Sequence, residues 1–210
     1  MTYVSALLAT LFGWWFSTGI ILFLNHLPTR TYRWSILGAT GLMILSIFTV
    51  SAVGSDVSRS GVLLSFVQGL LVWGWLEITY LMGFLTGPSK QVCPEGIGEW
   101  RRFWLALKTS LYHELAVVAF AILLIYLTFD KQNPLAGYTF VTLWLMRWSA
   151  KLNLFLGVLN YNSDWLPSGM DYLKSYVRCR RMNILFPVSV IVGVAAATFF
   201  FLNSQTSNTD

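Results

Sequence analysis

The sequence predicts an all-α protein, a polytopic transmembrane bundle of about six spans, and three observations carry that prediction. Of 210 residues, 56% are hydrophobic and 11% charged, against roughly 25% charged in soluble domains, so the polar surface needed to face water is missing. The apolar residues form runs along the whole chain, each near the ~20 residues that cross ~30 Å of hydrocarbon. Turn formers separate the runs: Pro28, Gly54 with Ser55, Gly87 with Pro88, Asn133 with Pro134, and Pro167. The bundle is therefore the domain, residues 1–210, with no room for a separate soluble module.

Taken in order, spans are predicted at residues 4–24, 34–53, 62–85, 103–129, 135–159 and 184–202. The first, second and sixth contain no charge. No basic segment or small-residue cleavage site marks the first run for removal, so it is expected to stay as a span. Orientation follows from the loops. Those after the first, third and fifth spans hold Arg30, Arg33, Lys90, Arg101, Arg102, Lys174, Arg178, Arg180 and Arg181, nine cations, while the other two hold Arg59 and Lys131. The positive-inside rule puts the nine in the cytoplasm and both termini on the opposite, periplasmic side. In the fifth loop Tyr172, Leu173, Tyr176 and Val177 recur at helical spacing, with Lys174, Arg178 and Arg181 on the other face. That pattern predicts an interfacial amphipathic helix. Lys174, Tyr176, Arg178, Arg180 and Arg181 are the expected contacts with anionic lipid or a docking partner. Trp14, Trp15, Trp34, Trp104 and Trp165 fit an aromatic belt, whereas Trp73, Trp75, Trp144 and Trp148 lie deeper.

Charges inside spans are costly and ask for a reason. Glu77, Glu114, Arg147 and Lys151 qualify, and the short 130–134 connection predicts Glu114 level with Arg147 and Lys151. Glu77, His113, Glu114, Arg147, Lys151 and Asn153 are accordingly the expected intramembrane polar cluster. Three readings stay open: mutually neutralising glue that fixes helix order, a pocket for an anionic or metal-bearing ligand, or a proton or ion path. A neutral His113 imidazole has the chemistry to ligate a chlorin magnesium, although a lone histidine beside a glutamate is more commonly a packing residue. No other metal ligand set is read, and no catalytic residue: nucleophile elbow, P-loop, GxGxxG and HExxH patterns are absent. Cys93 and Cys179 lie far apart in different loops and are expected to be free thiols. The net charge of +5 is scattered between apolar runs, which argues against nucleic acid and for the lipid bilayer as partner.

Several strings resemble a known family. They include His113-Glu114-Leu115-Ala116, the run Arg147-Trp148-Ser149-Ala150-Lys151-Leu152-Asn153, and Phe155-Leu156-Gly157-Val158. Tyr172-Leu173-Lys174-Ser175-Tyr176, Arg180-Arg181-Met182-Asn183 and Leu185-Phe186-Pro187-Val188-Ser189-Val190 continue the match, with a weaker echo at residues 14–19. Residues 113–192 thus resemble photosynthetic complex assembly proteins of the PuhE type, the photosynthetic complex assembly protein 2 family. That resemblance implies a bacterial cytoplasmic (photosynthetic) membrane and a non-enzymatic assembly factor. It implies reaction-centre or light-harvesting subunits as partners, and bacteriochlorophyll or a precursor as the pigment concerned. The alternatives are a carrier of a tetrapyrrole-like amphipathic anion through the charged pocket, and an enzyme of the bacteriochlorophyll pathway.

Overall fold

Residues 3–159, 161, 166 and 169–206 are described in the computed structural model, and Trp165 and Pro167 lie outside them. The elements are α1 (Tyr3–His26), α2 (Tyr32–Val53), α3 (Arg59–Leu81), α4 (Glu99–Lys108), α5 (Leu111–Thr128), α6 (Leu135–Leu156) and α7 (Leu185–Thr206). Short 3-10 turns occur at Thr29–Thr31 and Asp171–Tyr176, and no strand forms among the described residues. The chain divides into two units, Met1–Leu145 with Ser163–Tyr176, and Met146–Asn162 with Val177–Asp210.

In the first unit α2 and α3 pair as an antiparallel hairpin. Gln68 Nε2 donates to Thr49 Oγ1 at 2.8 Å and Trp75 Nε1 to Thr40 Oγ1 at 2.9 Å, so as one helix ascends in number the other descends. Hydrocarbon supplies no hydrophobic force between helices, so close packing and such bonds, each worth about 0.6 kcal/mol, do the work. The apolar centre is Val50, Val72, Leu76, Val117, Leu124 and Phe140, with Trp73 edge-on to Phe140 at 5.4 Å. Gly69 lets the start of α6 approach α3: a Cβ there would stand 2.7 Å from the Ala136 carbonyl oxygen. The Ala136 amide donates to Ser65 Oγ at 3.0 Å. At the same end Asn133 ties the α5–α6 turn to the α2–α3 turn through Gly54 O and Asp56 O.

Several predicted boundaries move. The third span ends at Leu81, not 85, because Gly83 takes φ +80°, and its amide turns back to Tyr80 O in the left-handed C-terminal stop that favours glycine. The predicted fourth span, 103–129, is two helices. Thr109 and Ser110 interrupt it, leaving α4 as a separate ten-residue helix that is about 15 Å long, too short to cross. Among the described residues five helices are long and apolar enough to cross a membrane: Val4–His26, Thr29–Val53, Arg59–Leu81, Leu111–Thr128 and Leu185–Ser204. α6, in the place of the fifth predicted span, has the length, 22 residues, but Arg147, Lys151 and Asn153 dilute its apolar character, and it is not among the five.

The predicted amphipathic helix of the fifth loop is a six-residue 3-10 turn, Asp171–Tyr176. In the second unit Val158 and Cys179 pair as an isolated bridge; the Val158 amide donates to Arg178 O and the Arg180 amide to Val158 O, which commits backbone groups of 178–180 that a continuing helix would need. Large apolar side chains stay exposed down α1, α2, α5 and α7, among them Phe12, Trp15, Phe48, Ile122 and Val194. In water such surface would drive association; in a bilayer it faces lipid.

Candidate functional site

A buried acid–imidazole cluster forms where α3 ends and α5 begins. His113 is fully buried, its Nε2 4.0 Å from Glu77 Oε1, and its ring centroid 4.7 Å from that of Tyr80. The first amides of a helix have no partner within it. Here the loop after α3 supplies one, since the His113 amide donates to Thr86 O at 3.0 Å. Gly87 makes the approach feasible, as a Cβ at that position would collide with the Lys108 carbonyl and the Thr109 backbone. Glu114 is also buried, in the first turn of α5, where the positive end of the helix dipole favours a carboxylate.

The depth differs from the expectation. Glu77 lies four residues before the end of α3, about 6 Å, rather than the eight residues and ~12 Å that a span ending at 85 implies, and His113 is the third residue of α5. At 4.0 Å the carboxylate and the imidazole are within electrostatic reach but beyond hydrogen-bond distance. As a chlorin ligand His113 is poorly placed, because it has no exposed face for a macrocycle.

Sequence reasoning missed a second centre, built on Arg102 and counted there only as a loop charge. Arg102 is 4% exposed. Its Nη1 donates to Tyr176 O at 2.6 Å, and its Nε and Nη2 reach Glu99 Oε2 at 3.2 and 2.8 Å. Tyr176 in turn donates its hydroxyl to Gln91 O at 3.0 Å, and the Cys93 amide donates to Ser175 Oγ at 2.8 Å. The 91–102 segment and the 171–176 turn are thereby locked together. Tyr176, expected as an exposed interfacial contact, is instead buried, as is Tyr172. Burial pushes both phenols up from their ordinary pKa. Lys174 bonds Asp171 at 2.7 Å, and that hydrogen bond and charge hold the Asp171 carboxyl below the usual carboxylate range. The one available signal for this centre was Glu99 three residues before Arg102.

In the second unit the polar residues of the resembling strings form a ladder between α6 and α7. Ser149 Oγ meets Ser189 Oγ at 2.9 Å, and Asn153 Nδ2 donates to Ser149 O at 2.9 Å and Ser189 Oγ at 3.3 Å. Asn183 Nδ2 donates to Asn153 O at 3.2 Å and Gly157 O at 2.9 Å, while its Oδ1 accepts the Phe186 amide at the start of α7. Gly157, at φ +123°, ends α6 and lies under the Arg180 side chain. Arg147 and Lys151 are half-buried on α6, Arg178 is half-buried, and Arg180 and Arg181 are exposed. Of the predicted cluster, Glu77, His113 and Glu114 belong to the first unit, and Arg147, Lys151 and Asn153 to the second. Cys93 and Cys179 are free thiols. Among the described residues no three His, Cys, Asp or Glu side chains converge as a metal site.

Outward apolar faces, inward hydrogen bonds and, among the described residues, five span-length helices define the class: a polytopic helical membrane protein. Its family follows from comparison. The chain belongs to the family described as protein of unknown function (DUF3623), which matches over residues 1–210. It is 36% identical over 207 residues to an uncharacterized 30.4 kDa protein in the puhA 5′ region of Rhodobacter capsulatus, a match covering 97% of this chain and 76% of that protein. No solved structure matches the chain.

Proposed function

We propose that this protein is a membrane assembly factor for the bacterial photosynthetic reaction-centre and light-harvesting complex, resident in the cytoplasmic membrane. The observation that carries the reading is the relative named for its place beside puhA, similar over nearly the whole of this chain. The resemblance of residues 113–192 to assembly proteins of the PuhE type bears the same locus name. The physical design suits the task. Lipid-facing apolar helices offer lateral contact to a nascent subunit, while buried hydrogen bonds keep the bundle itself ordered. Bacteriochlorophyll or a precursor, if carried, would be held on such an outer face or by the subunit rather than on the sealed His113.

The test is affinity isolation of the full chain from a phototrophic host in mild detergent, followed by mass spectrometry and an absorption spectrum, with a deletion strain in parallel. Reaction-centre or light-harvesting subunits should co-isolate, and the deletion should lower complex absorbance while free pigment persists. Normal complex levels in the deletion strain and no co-isolated subunit overturn the reading. Saturable tetrapyrrole flux in vesicles would replace it with a carrier.

A further inference from the structure

The charged and aromatic side chains of α4 are more than a linker's polar coat. The helix is locked in rotation by Arg102, which is buried against Tyr176 O, so its remaining faces have fixed directions. The face turned away from Arg102 carries Trp100, 70% exposed, and Trp104, 46% exposed, together with exposed Arg101 and Lys108. Trp100 and Trp104 pack edge to face at 5.5 Å, and Phe103 stacks on Trp100 at 5.8 Å. The aromatic group is thus a preformed ledge rather than three separate side chains.

The side of the membrane on which it lies follows from topology. α2 and α3 are an antiparallel pair, each long enough to cross, so the segment before α2 and the segment after α3 share one side. Arg30 precedes α2 and Arg33 stands in its first turn, set over the Trp34 ring at 5.3 Å. Two separate stretches of this unit therefore present indole and cation together on the same side, the composition of a water–bilayer interface. Lys108, assigned by sequence to the interior of a span, belongs to this side as well.

We infer that α4 lies in the headgroup layer, its indoles at the acyl boundary and Arg101 and Lys108 on anionic phospholipid. Its opposite face holds the 171–176 turn, so lipid contact and the order of that turn are properties of one helix. The site is independent of any photosynthetic partner.

The experiment uses the full chain in nanodiscs of phosphatidylcholine, or of equal parts phosphatidylcholine and phosphatidylglycerol. A nitroxide at Trp104→Cys, with Cys93→Ser and Cys179→Ser, reports depth by its relative accessibility to oxygen and to a water-soluble nickel chelate. Headgroup depth is expected. In the native chain, spin-labelled phosphatidylglycerol should be enriched at the protein over phosphatidylcholine, and Arg101→Gln with Lys108→Gln should reduce that preference several-fold, roughly fivefold per cation at most, with helical content unchanged. A label open to bulk water, as for a soluble partner's docking face, overturns the inference. So does one at the bilayer centre, or lipid selectivity unaltered in the double variant.

Discussion

Replacing Arg102 with methionine keeps an unbranched stem and deletes the guanidinium. What is lost is a charge-assisted bond to Tyr176 O at 2.6 Å and the pair with Glu99 at 2.8 Å. The first is buried and worth about 1.5–3 kcal/mol as a bond to a charged group. The second contributes less, since the Glu99 side chain is 56% exposed and exposed pairs are worth about 0–1 kcal/mol. A loss near 2 kcal/mol corresponds to a roughly thirtyfold larger opening constant, confined to what Arg102 holds. Hydrogen exchange of the reconstituted protein should therefore show amides of residues 171–176 and 91–93 exchanging about thirtyfold faster, with α2 and α3 unchanged. Arg102→Lys should recover little, because a single ammonium cannot reproduce the planar fork, and Glu99→Gln should be nearly silent. Unchanged exchange in the 171–176 turn of Arg102→Met would refute the clamp.

Three further predictions test other parts of the fold. Gly69→Ala should destabilise the first unit by about 1–3 kcal/mol through overpacking, because the new Cβ meets Ala136 O at 2.7 Å and Thr139 Cβ at 2.9 Å; Gly38→Ala, with open space around it, should be neutral or mildly stabilising in the same thermal unfolding in detergent. A double-mutant cycle on Ser149→Ala and Ser189→Ala should give a coupling of about 0.6 kcal/mol, up to ~1.7, and strict additivity would deny the ladder. The 171–176 turn should loosen at both pH extremes, read by hydrogen exchange or limited proteolysis. Asp171 has a depressed folded-state pKa, so its contribution is present above and lost below about pH 4. Tyr172 and Tyr176 have raised ones, so theirs is complete below about pH 10 and declines above it. A turn equally protected at pH 3, 7 and 11, to order of magnitude, would contradict those shifts.

The all-helical membrane class and the cores of the spans were legible because they depend on composition and run length, which are local properties. What was hidden depended on single backbone stops and on long-range contacts. Gly83 ends α3 through its own dihedral, yet a glycine inside an apolar run reads equally well as a tolerated helix residue. The break at Thr109 and Ser110 was masked because Leu107 and Leu111 continue the apolar count across it. The amphipathic pattern sought in the fifth loop was real at Tyr172 and Tyr176, but periodicity does not say whether the apolar side meets lipid or protein. Here it meets protein, while α4 (Glu99–Lys108) straddles the predicted boundary, with residues 103–108 read into a span and Arg101 and Arg102 into a loop.

Depth changes the weight of the charged residues. Placed mid-bilayer, Glu77 and Glu114 would each cost several kcal/mol and demand a function. Placed in the last turns of α3 and the first turn of α5, they are near an interface, and Glu114 is offset by the helix dipole. What then requires explanation is burial inside protein rather than depth in lipid. His113 and Glu77 lie together beneath a loop whose Thr86 carbonyl caps α5, and an apolar substitution at either removes one of the two groups in that 4.0 Å contact. The cluster thus lies at the junction between the end of α3 and the start of α5, where the Thr86 carbonyl accepts the His113 amide.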